Sequence, residues 1–421
     1  MSGNSDKMIF PIRELKSPFY SKTERRRSRD KVNFASFQIS TLKNFVHSVR
    51  KETTVAGKLP DQSLYGFLPE SGQLSLGPLS VIQGIHYSRC VWGGLTLVPL
   101  DSTWTRFNIL DVVAPDDHLM RPFWHPIIQD LGVSGHLLRF CDSMLKMGMV
   151  IDPRYTGIDI DYHNPEYWLQ MIYFIKDLIE KMIKANKENL LNLKNTSWDR
   201  VYIRPMALCQ AQGIGPVQPD IAHPTMADLY LIAQAFADYG KRDAVLVRAP
   251  RALATITGTI KMSGNYGSYL TLKKIALDAA KLVGIEADDC YQVKYDINGR
   301  LVLGEASTCA LGTVFQRKSG PKLIVPDPLS TDTLPSFTAR WVIRLAQEQL
   351  GINAGYGAIP IRQFEEEVLE LMRCGNATRV KPVSAIGRRP LVTEIGNQIS
   401  VLYEKVVRGE LYPEHSTVIQ I

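Results

Sequence analysis

A lysine and a tyrosine in one short run offer the chemistry that a carbonyl cofactor needs. The run reads Ile-Lys-Met-Ser-Gly-Asn-Tyr-Gly and contains Lys261 and Tyr266. A primary amine can form a Schiff base with the aldehyde of pyridoxal phosphate, and a nearby phenol can hydrogen-bond the ring oxygen. Most lysines are solvated surface charges, so the run indicates such a site only together with the segments around it.

Several collinear segments of the chain resemble motifs of a single enzyme family. The run at Lys261 is one of them, and Tyr202-Ile203-Arg204-Pro205 is identical to the Tyr-Ile-Arg-Pro motif of that family. The other similar segments are, in order, His86–Gly94, His136–Ser143, Gly304–Thr308, Leu334–Thr338 and Gly375–Ala377. On these motifs the chain resembles the branched-chain-aminotransferase family of fold-type IV pyridoxal-phosphate enzymes, over roughly residues 60 to 405.

The resemblance implies an α/β protein with the two-domain α+β architecture of fold type IV. A small N-terminal α/β domain is expected beside a larger C-terminal domain built around a β-barrel-like sheet. The expected division is an N-terminal extension at 1–55, the small domain at 56–235, an interdomain segment at 236–242 and the large cofactor-binding domain at 243–421. A chain of 421 residues has room for about two or three domains.

One amphipathic helix is predicted from the residues alone, from about Pro165 to Lys187. Asn164 is a good cap and Pro165 suits the first turn. Its apolar residues repeat on one face, at Trp168, Ile172, Ile175, Ile179 and Met182. This stripe indicates core packing. The strand predicted over 199–204 follows it and carries Tyr202.

Two further predicted elements flank the lysine run on its C-terminal side. A helix that ends at Gly284 is expected after Lys261. Its apolar residues are Leu272, Ile275, Ala276, Ala279 and Leu282. Asn298-Gly299 between the segments 291–295 and 301–303 predicts a β-hairpin. The hairpin would deliver Glu305 to the end of a strand.

The resemblance assigns a residue to each part of the cofactor. Lys261 would be the catalytic lysine, and Tyr266 would bind the ring oxygen. Glu305 would bind the pyridine nitrogen, because a carboxylate there keeps that nitrogen protonated and the ring an electron sink. An isolated glutamate after a strand is usually a surface charge, and the family pattern favours the functional interpretation.

Four residues are expected to hold the phosphate group, namely Arg139, Phe337, Thr338 and Asn376. A dianion requires charge-assisted donors, which a guanidinium supplies. Phe337 and Thr338 begin a helix predicted over Ala339–Leu350, whose first amides suit an anion. Thr338 also fits a structural N-cap. Asn376 replaces a threonine of the family, and its amide can donate in place of the hydroxyl.

The substrate-binding positions implied by the resemblance are Tyr87, Trp92, Tyr202 and the backbone of Ala377. Buried aromatics are more often plain core than ligand contacts, and the family pattern favours the binding role at these positions. The chain departs from the family at Gly93, which replaces a glutamate, and at Thr96, which replaces an arginine. These losses predict an uncharged substrate side formed by the segment 92–94, which would accept an apolar side chain.

Composition restricts the class of protein without deciding its activity. The net charge of +7 includes an N-terminal cluster at Arg25, Arg26, Arg27 and Arg29, but the chain has no nucleic-acid-binding module. No apolar run reaches the ~20 residues that span a bilayer. The cysteines include no Cys-x-x-Cys pair, so no metal site is expected. Scattered reduced thiols are typical of a cytosolic protein, so a cytoplasmic location is predicted. A mitochondrial presequence is the alternative, although acidic residues interrupt the N-terminal segment.

Taken together, these residues predict a pyridoxal-phosphate-dependent aminotransferase acting on an amino acid and a 2-oxo acid. A homodimer without nucleic-acid or membrane partners is expected. A lyase or other carbanion enzyme on the same fold is the alternative, including aminodeoxychorismate-lyase, D-amino-acid transaminase and amine transaminase activities. A catalytically inactive binding protein would require loss of Lys261, Glu305, Tyr266 or Arg139, and all four are present.

Overall fold

The computed structural model describes residues 34–35, 37–39, 53–54, 90–196, 198–209, 224–236, 242–253 and 258–421. For the three short segments before residue 90, and for 154–155 and 251–253, it describes the backbone alone. Tyr87, the N-terminal arginine cluster and most of the predicted interdomain segment lie outside the described residues.

The strands of these ranges are numbered in chain order. They are β1 (Phe34–Ala35), β2 (Phe37–Ile39), β3 (Thr53–Thr54), β4 (Cys90–Trp92), β5 (Leu95–Pro99), β6 (Arg106–Leu110), β7 (Ala114–Pro115), β8 (Val133–Ser134), β9 (Met149–Ile151), β10 (Arg200–Cys209), β11 (Thr225–Phe236), β12 (Ala244–Leu253), β13 (Asp289–Tyr295), β14 (Leu301–Ala306), β15 (Ala310–Arg317), β16 (Gly320–Pro326), β17 (Asn353–Gly357), β18 (Val368–Gly375), β19 (Arg379–Ile386), β20 (Arg389–Pro390) and β21 (Ser416–Gln420).

The α-helices of the same ranges are also numbered in chain order. They are α1 (His136–Lys146), α2 (Pro153–Thr156), α3 (Pro165–Ala185), α4 (Lys187–Leu193), α5 (Ser263–Leu282), α6 (Pro328–Thr331), α7 (Phe337–Glu348), α8 (Ile361–Glu367) and α9 (Glu394–Val407). Short 3₁₀ turns lie at Arg121–Phe123 and Pro413–His415.

Two large sheets organise the chain. The first sheet has the order β2-β11-β10-β5-β6-β21, with β4 also on β10 and β9 also on β11. The second sheet has the order β14-β13-β12-β19-β18-β15-β16-β17, with β20 on β19. The protein is therefore a mixed α/β protein with two curled sheets.

The first sheet separates a hydrophobic core from a functional face. Successive side chains of a strand point to opposite faces. On β10, Val201 and Ile203 join the core beneath the sheet, which α3 supplies with Trp168. Tyr202 and Arg204 alternate with them and line a cavity on the other face.

Helix α3 confirms the helix predicted from its apolar repeat. It spans Pro165–Ala185, and the side chain of Asn164 accepts a hydrogen bond from the amide of Glu166 at 2.9 Å. The cap satisfies a donor that has no acceptor within the helix. The predicted apolar stripe is buried throughout.

The predicted β-hairpin is also confirmed. Strands β13 and β14 pair antiparallel, with Lys294 opposite Val302. Gly299 has φ +72° in the connecting turn, a conformation that glycine adopts without strain. The hairpin places Glu305 next to the last residue of β14, where it is buried.

Helix α5 begins two residues after Lys261 and ends before Gly284, which has φ +72°. The predicted helix is therefore present, but its apolar residues do not all face the core. Leu272 and Ala276 are buried, whereas Ile275 and Leu282 are exposed. Tyr269 takes the buried position one turn before Leu272.

The C-terminal strand returns to the first sheet. Strand β21 pairs antiparallel with β6, with Ile419 opposite Phe107. The division of the chain into two domains stays a prediction. No helix in the described ranges is long and apolar enough to cross a membrane.

Candidate active site

A cavity of about 480 Å³ is lined by both sheets and by α1, α5 and α7. Every residue that the sequence assigned to the cofactor or substrate, apart from the undescribed Tyr87, lies in its lining. These residues are Trp92, Arg139, Tyr202, Lys261, Tyr266, Glu305, Phe337, Thr338, Asn376 and Ala377. Segments that are far apart in the sequence thus converge on one space.

Lys261 is fixed at the cavity by backbone contacts on both sides. Its amide donates to Ser143 Oγ at 3.2 Å, and its carbonyl accepts the amide of Trp92 at 3.1 Å. Its Nζ lies 2.8 Å from the hydroxyl of Tyr266 and 4.0 Å from the ring centroid of Trp92. The residue is 8 % exposed and its amine points at a phenol, as the run in the sequence indicated.

The surroundings of Lys261 favour a neutral amine. Burial lowers the pKa of Lys261 well below its ordinary value, and the guanidinium groups of Arg139 and Arg204 lower it further. Glu305 acts in the opposite direction without restoring the ordinary pKa. A neutral amine is the form that attacks a carbonyl and accepts a proton.

Glu305 is a buried carboxylate with one free oxygen. Burial raises its pKa, and Lys294 opposes that rise more than any other neighbour does. Lys294 Nζ lies 3.7 Å from Oε1 of Glu305. Oε1 has no hydrogen-bond partner among the described residues. A buried oxygen in this state is a site for a donor that a bound molecule supplies.

Arg139 and the start of α7 form the cationic end of the cavity. Arg139 Nη1 donates to the carbonyl of Pro335 at 2.7 Å, and its Nη2 lies 3.2 Å from Nδ1 of His136. Burial lowers the pKa of Arg139 to about 10, so it remains a cation at neutral pH. Burial and the charge of Arg139 lower the pKa of His136 well below its ordinary value.

The start of α7 differs from the prediction. The helix begins at Phe337, two residues earlier than expected, and the cap is Ser336, whose Oγ accepts the amide of Ala339 at 3.3 Å. Thr338 is therefore not the N-cap, and its hydroxyl lies 3.2 Å from that of Tyr403. The first amides of a helix have no acceptor within it, so this end suits an anion.

Asp111 joins the elements that carry the cationic end. Its carboxylate accepts Arg340 Nη2 at 2.8 Å and Trp341 Nε1 at 2.7 Å from α7. His415 Nδ1 lies 2.8 Å away, and the Asp111 carbonyl accepts the amide of His136 at 2.6 Å. Burial alone would raise the pKa of Asp111, but Arg340 and His415 outweigh it and lower the pKa to about 2.

The turn at Asn376 and Ala377 connects β18 to β19 at the cavity. Asn376 Nδ2 donates to the carbonyl of Gly94 at 2.8 Å, so one of its two amide hydrogens is used within the protein. The amide has a second hydrogen, so it can still serve as the donor that the sequence predicts for the phosphate. The cofactor role of Asn376 stays a prediction.

A cation on the substrate side was not predicted from the sequence. The Arg204 guanidinium lies 4.4 Å from the ring centroid of Trp92 and 5.3 Å from that of Tyr202. Its Nε has no hydrogen-bond partner among the described residues. The two-residue repeat of a strand could have predicted this position of Arg204, because Tyr202 and Arg204 are two residues apart and share a face. Gln234 and Phe236, on β11, line the same face.

Gly93 does not have the predicted place in the cavity wall. The lining includes Trp92 and Gly94, whereas Gly93 faces Pro205, and a Cβ at Gly93 would lie 2.7 Å from Cγ of that proline. The expectation that an uncharged 92–94 segment forms the substrate side is therefore wrong at Gly93. Gly94 leaves room for Tyr202, whose hydroxyl would lie 2.0 Å from an added Cβ.

The donor set of the cavity fits a cofactor with three chemical parts. The amine of Lys261 suits an aldehyde, and the free oxygen of Glu305 suits a protonated ring nitrogen. The cationic end at Arg139 and α7 suits a phosphate. In the parts of the chain that the structure covers, no group of three or more His, Cys, Asp or Glu side chains could hold a metal ion.

Known proteins resemble this chain in fold and, over part of its length, in sequence. A branched-chain aminotransferase from Thermoproteus uzoniensis, solved with norvaline, superposes with a TM-score of 0.55 at 19 % identity over 80 % of this chain and 93 % of its own. The branched-chain amino acid aminotransferase of Thermobaculum terrenum, solved in its PLP form, gives 0.55 at 17 % identity over 79 % of this chain and 90 % of its own. The chain has the fold of the branched-chain aminotransferases.

The sequence comparison agrees with this fold-type IV architecture. The mitochondrial branched-chain-amino-acid aminotransferase of Schizosaccharomyces pombe is 28 % identical over 211 residues, which are 46 % of this chain. The match spans 46 % of that relative, about half of its length. No family model matches the chain. In sequence the chain is thus similar to a branched-chain aminotransferase over about half of its length.

Proposed function

We propose that the protein is a pyridoxal-phosphate-dependent aminotransferase that moves an amino group between an amino acid and a 2-oxo acid. The observation that carries the proposal is the buried Lys261 amine, 2.8 Å from the Tyr266 hydroxyl in a cavity that also holds the free oxygen of Glu305. The relative from Thermobaculum terrenum, solved in its PLP form, supports the same cofactor.

Each part of the site has a distinct task in this reaction. When bound, pyridoxal phosphate supplies a reactive carbonyl and an electron sink for the substrate Cα. Lys261 Nζ would hold the cofactor until the amine of the substrate displaces it, and the freed Nζ would then move a proton to and from Cα as base and acid. The hydroxyl of Tyr266 orients Nζ at 2.8 Å and would hydrogen-bond the ring oxygen of the bound cofactor. Glu305 accepts the ring N–H, and Arg139 and Asn376 bind the phosphate beside the first residues of α7, Phe337 and Thr338.

The substrate pocket combines aromatic walls with one cation. Trp92, Tyr202 and Phe236 offer apolar surface, which suits a largely apolar side chain. The Thermoproteus uzoniensis relative was solved with norvaline, an amino acid of that kind. Arg204 supplies a charge that can meet a carboxylate. The Ala377 backbone is the proposed partner of the α-carboxylate.

We further propose a homodimer in the cytoplasm. The dimer follows from the family resemblance, and light scattering at twice the chain mass of 47.3 kDa is its test. A monomeric active enzyme would contradict it. The S. pombe relative is mitochondrial, so fractionation of the native source decides the location.

Borohydride reduction of the purified protein tests the cofactor assignment. The reagent should attach the cofactor to Lys261, and peptide mapping should find the label there. Lys261→Ala should keep the circular dichroism of the wild type and lose the label and the amino transfer. Lys273→Ala is the matched control, since Lys273 pairs with Asp289 and does not line the cavity. A label on another lysine would contradict the assignment.

The same preparation separates transfer from elimination. Amino donors and 2-oxo acids are supplied in pairs, and the products are measured by mass spectrometry. Transamination produces a new amino acid in an amount equal to the donor consumed. A lyase consumes the donor without forming one, and that result would favour the alternative carbanion chemistry.

A further inference from the structure

A buried lysine lies against the carboxylate of Glu305. Lys294 is on β13, opposite β14, and only 1 % of its side chain is exposed. Its Nζ is 3.7 Å from Oε1 of Glu305 and donates to the carbonyl of Asp332. The same nitrogen lies 5.6 Å from the ring centroid of Tyr269. Lys294 does not line the cavity itself, so it contacts the site through Glu305.

The neighbouring strand accommodates this lysine. A Cβ at Gly304 would lie 3.1 Å from Cγ and 3.2 Å from Cδ of Lys294, which is tighter than ordinary van der Waals contact. The residue before Glu305 therefore has no side chain where the lysine stem passes. A buried cation is costly, and an apolar side chain of similar volume would be cheaper. The positive charge of Lys294 at this buried position therefore indicates a role other than stabilising the fold.

The other groups around Glu305 do not replace that charge. Tyr266 and Tyr269 face it from α5, Lys261 faces it across the cavity, and Cys309 follows it after the end of β14. The surroundings of Lys261 favour a neutral amine, and the phenols and thiol are neutral at physiological pH. Lys294 is therefore the cation that balances the buried carboxylate.

We propose that Lys294 is a positioning residue that keeps Glu305 ionised and so keeps the proton on the ring nitrogen of the cofactor. The inference rests on the proposed function. Glu305 and the ring nitrogen compete for one proton, and a cation in contact with the carboxylate favours the ionised carboxylate. Without Lys294, burial favours the neutral acid, the proton moves to Glu305, and the ring is a weaker electron sink.

The test compares Lys294→Met with the wild type in the full-length chain. With cofactor labelled by ¹⁵N at the ring nitrogen, the wild type should show the chemical shift of a protonated nitrogen. Lys294→Met should show that of a neutral one, and its turnover should fall at least tenfold with little change in cofactor affinity. Lys273→Met, which removes one of the partners of Asp289 outside the cavity, should match the wild type in both.

A second readout needs no cofactor. At neutral pH, the infrared spectrum of Lys294→Met should contain a protonated carboxyl band that is missing from the wild type. Adding Glu305→Gln should abolish the band. A Lys294→Met protein whose ring nitrogen stays protonated, or a wild-type protein whose Glu305 is neutral at pH 7, would overturn the proposal. The wild-type spectrum decides this even where the variant does not fold.

The two proposals fail in different ways. Absence of the borohydride label from Lys261 would contradict the cofactor assignment whatever the state of Glu305. The carboxyl band of the cofactor-free chain is measured without the cofactor, so it tests the role of Lys294 separately.

Discussion

Glu305 is the residue whose charge the proposed chemistry uses most directly. Glu305→Gln keeps the shape of the side chain and removes its charge, so the ring nitrogen loses the partner that holds its proton. We expect turnover to fall by a factor on the order of 10² or more, a rise of about 3 kcal/mol in the activation barrier. Steady-state kinetics and equilibrium binding of the cofactor measure the two effects separately.

Cofactor affinity should change much less, because the phosphate site at Arg139 and α7 carries most of it. Glu365→Gln is the matched control, since Glu365 accepts the Tyr291 hydroxyl at 2.8 Å and does not line the cavity. An unchanged turnover number in Glu305→Gln would show that this carboxylate is not the partner of the nitrogen.

At this scale the sequence predicted residues that line one cavity but not their electrostatic setting. Lys261, Tyr266 and Glu305 were found because the family motifs include them. Lys294 was placed on the correct strand. The local sequence of that strand does not show, however, that other elements bury both of its faces. Burial of a charge depends on the elements packed above it, which a local pattern does not contain.

Strand β4 and the residues after it approach β10 so closely that side chains there are restricted. We expect Gly94→Ala to displace Tyr202 from the substrate wall, because the new Cβ would lie 2.0 Å from its hydroxyl. The KM for the amino donor should rise about tenfold or more, with a smaller change in the cofactor spectrum. Kinetics with a saturating oxo acid measure the effect.

Gly267→Ala is its matched control. Gly267 lies within α5, and a Cβ there meets no atom within 4 Å. This variant should retain the KM and gain roughly 0.5–1 kcal/mol in the free energy of unfolding, because alanine favours a helix. An unaltered KM in Gly94→Ala would mean that Tyr202 does not form the wall.

Among the elements, those with a strong local signal were predicted best. The apolar repeat and Asn164 gave α3, and Asn298-Gly299 gave the hairpin of β13 and β14. The start of α7 was predicted two residues late, because Ser336 and Thr338 are both acceptable caps and only the bound amide distinguishes them. Arg204 was missed although its strand was predicted.

At the scale of the whole molecule, Asp111 connects four parts of the fold, namely β6, α1, α7 and the C-terminal segment. Asp111→Asn should lower the free energy of unfolding by about 1.5–3 kcal/mol at neutral pH. Arg340 would lose its charged partner at 2.8 Å and keep only the ion pair with Asp117 at 3.1 Å. Asparagine tolerates the positive φ of +52° at this position, so backbone strain adds little. Denaturant unfolding measures the difference.

The pH dependence of that difference has a defined sign. The pKa of Asp111 is lowered to about 2 in the folded protein, against an ordinary value of 3.8. The contribution of the ionised Asp111 carboxylate to the free energy of unfolding is present in full above about pH 4 and is lost as the pH falls through 2. The stabilities of wild type and variant should therefore converge there. Asp278→Asn, at an exposed pair with Lys274, should change stability by less than about 1 kcal/mol at any pH. A difference that persists at pH 2 would contradict the charge pairing.

The pairing of β21 with β6 has a consequence for synthesis on the ribosome. His415 and Asp111, which meet beside this pair, are 304 positions apart in the chain. At ordinary translation rates the nascent chain therefore waits on the order of tens of seconds before the partner of β6 emerges. Throughout that interval the outer edge of β6 presents free backbone donors and acceptors, which other nascent chains can bind. Ribosome-associated chaperones would protect the protein most during this interval.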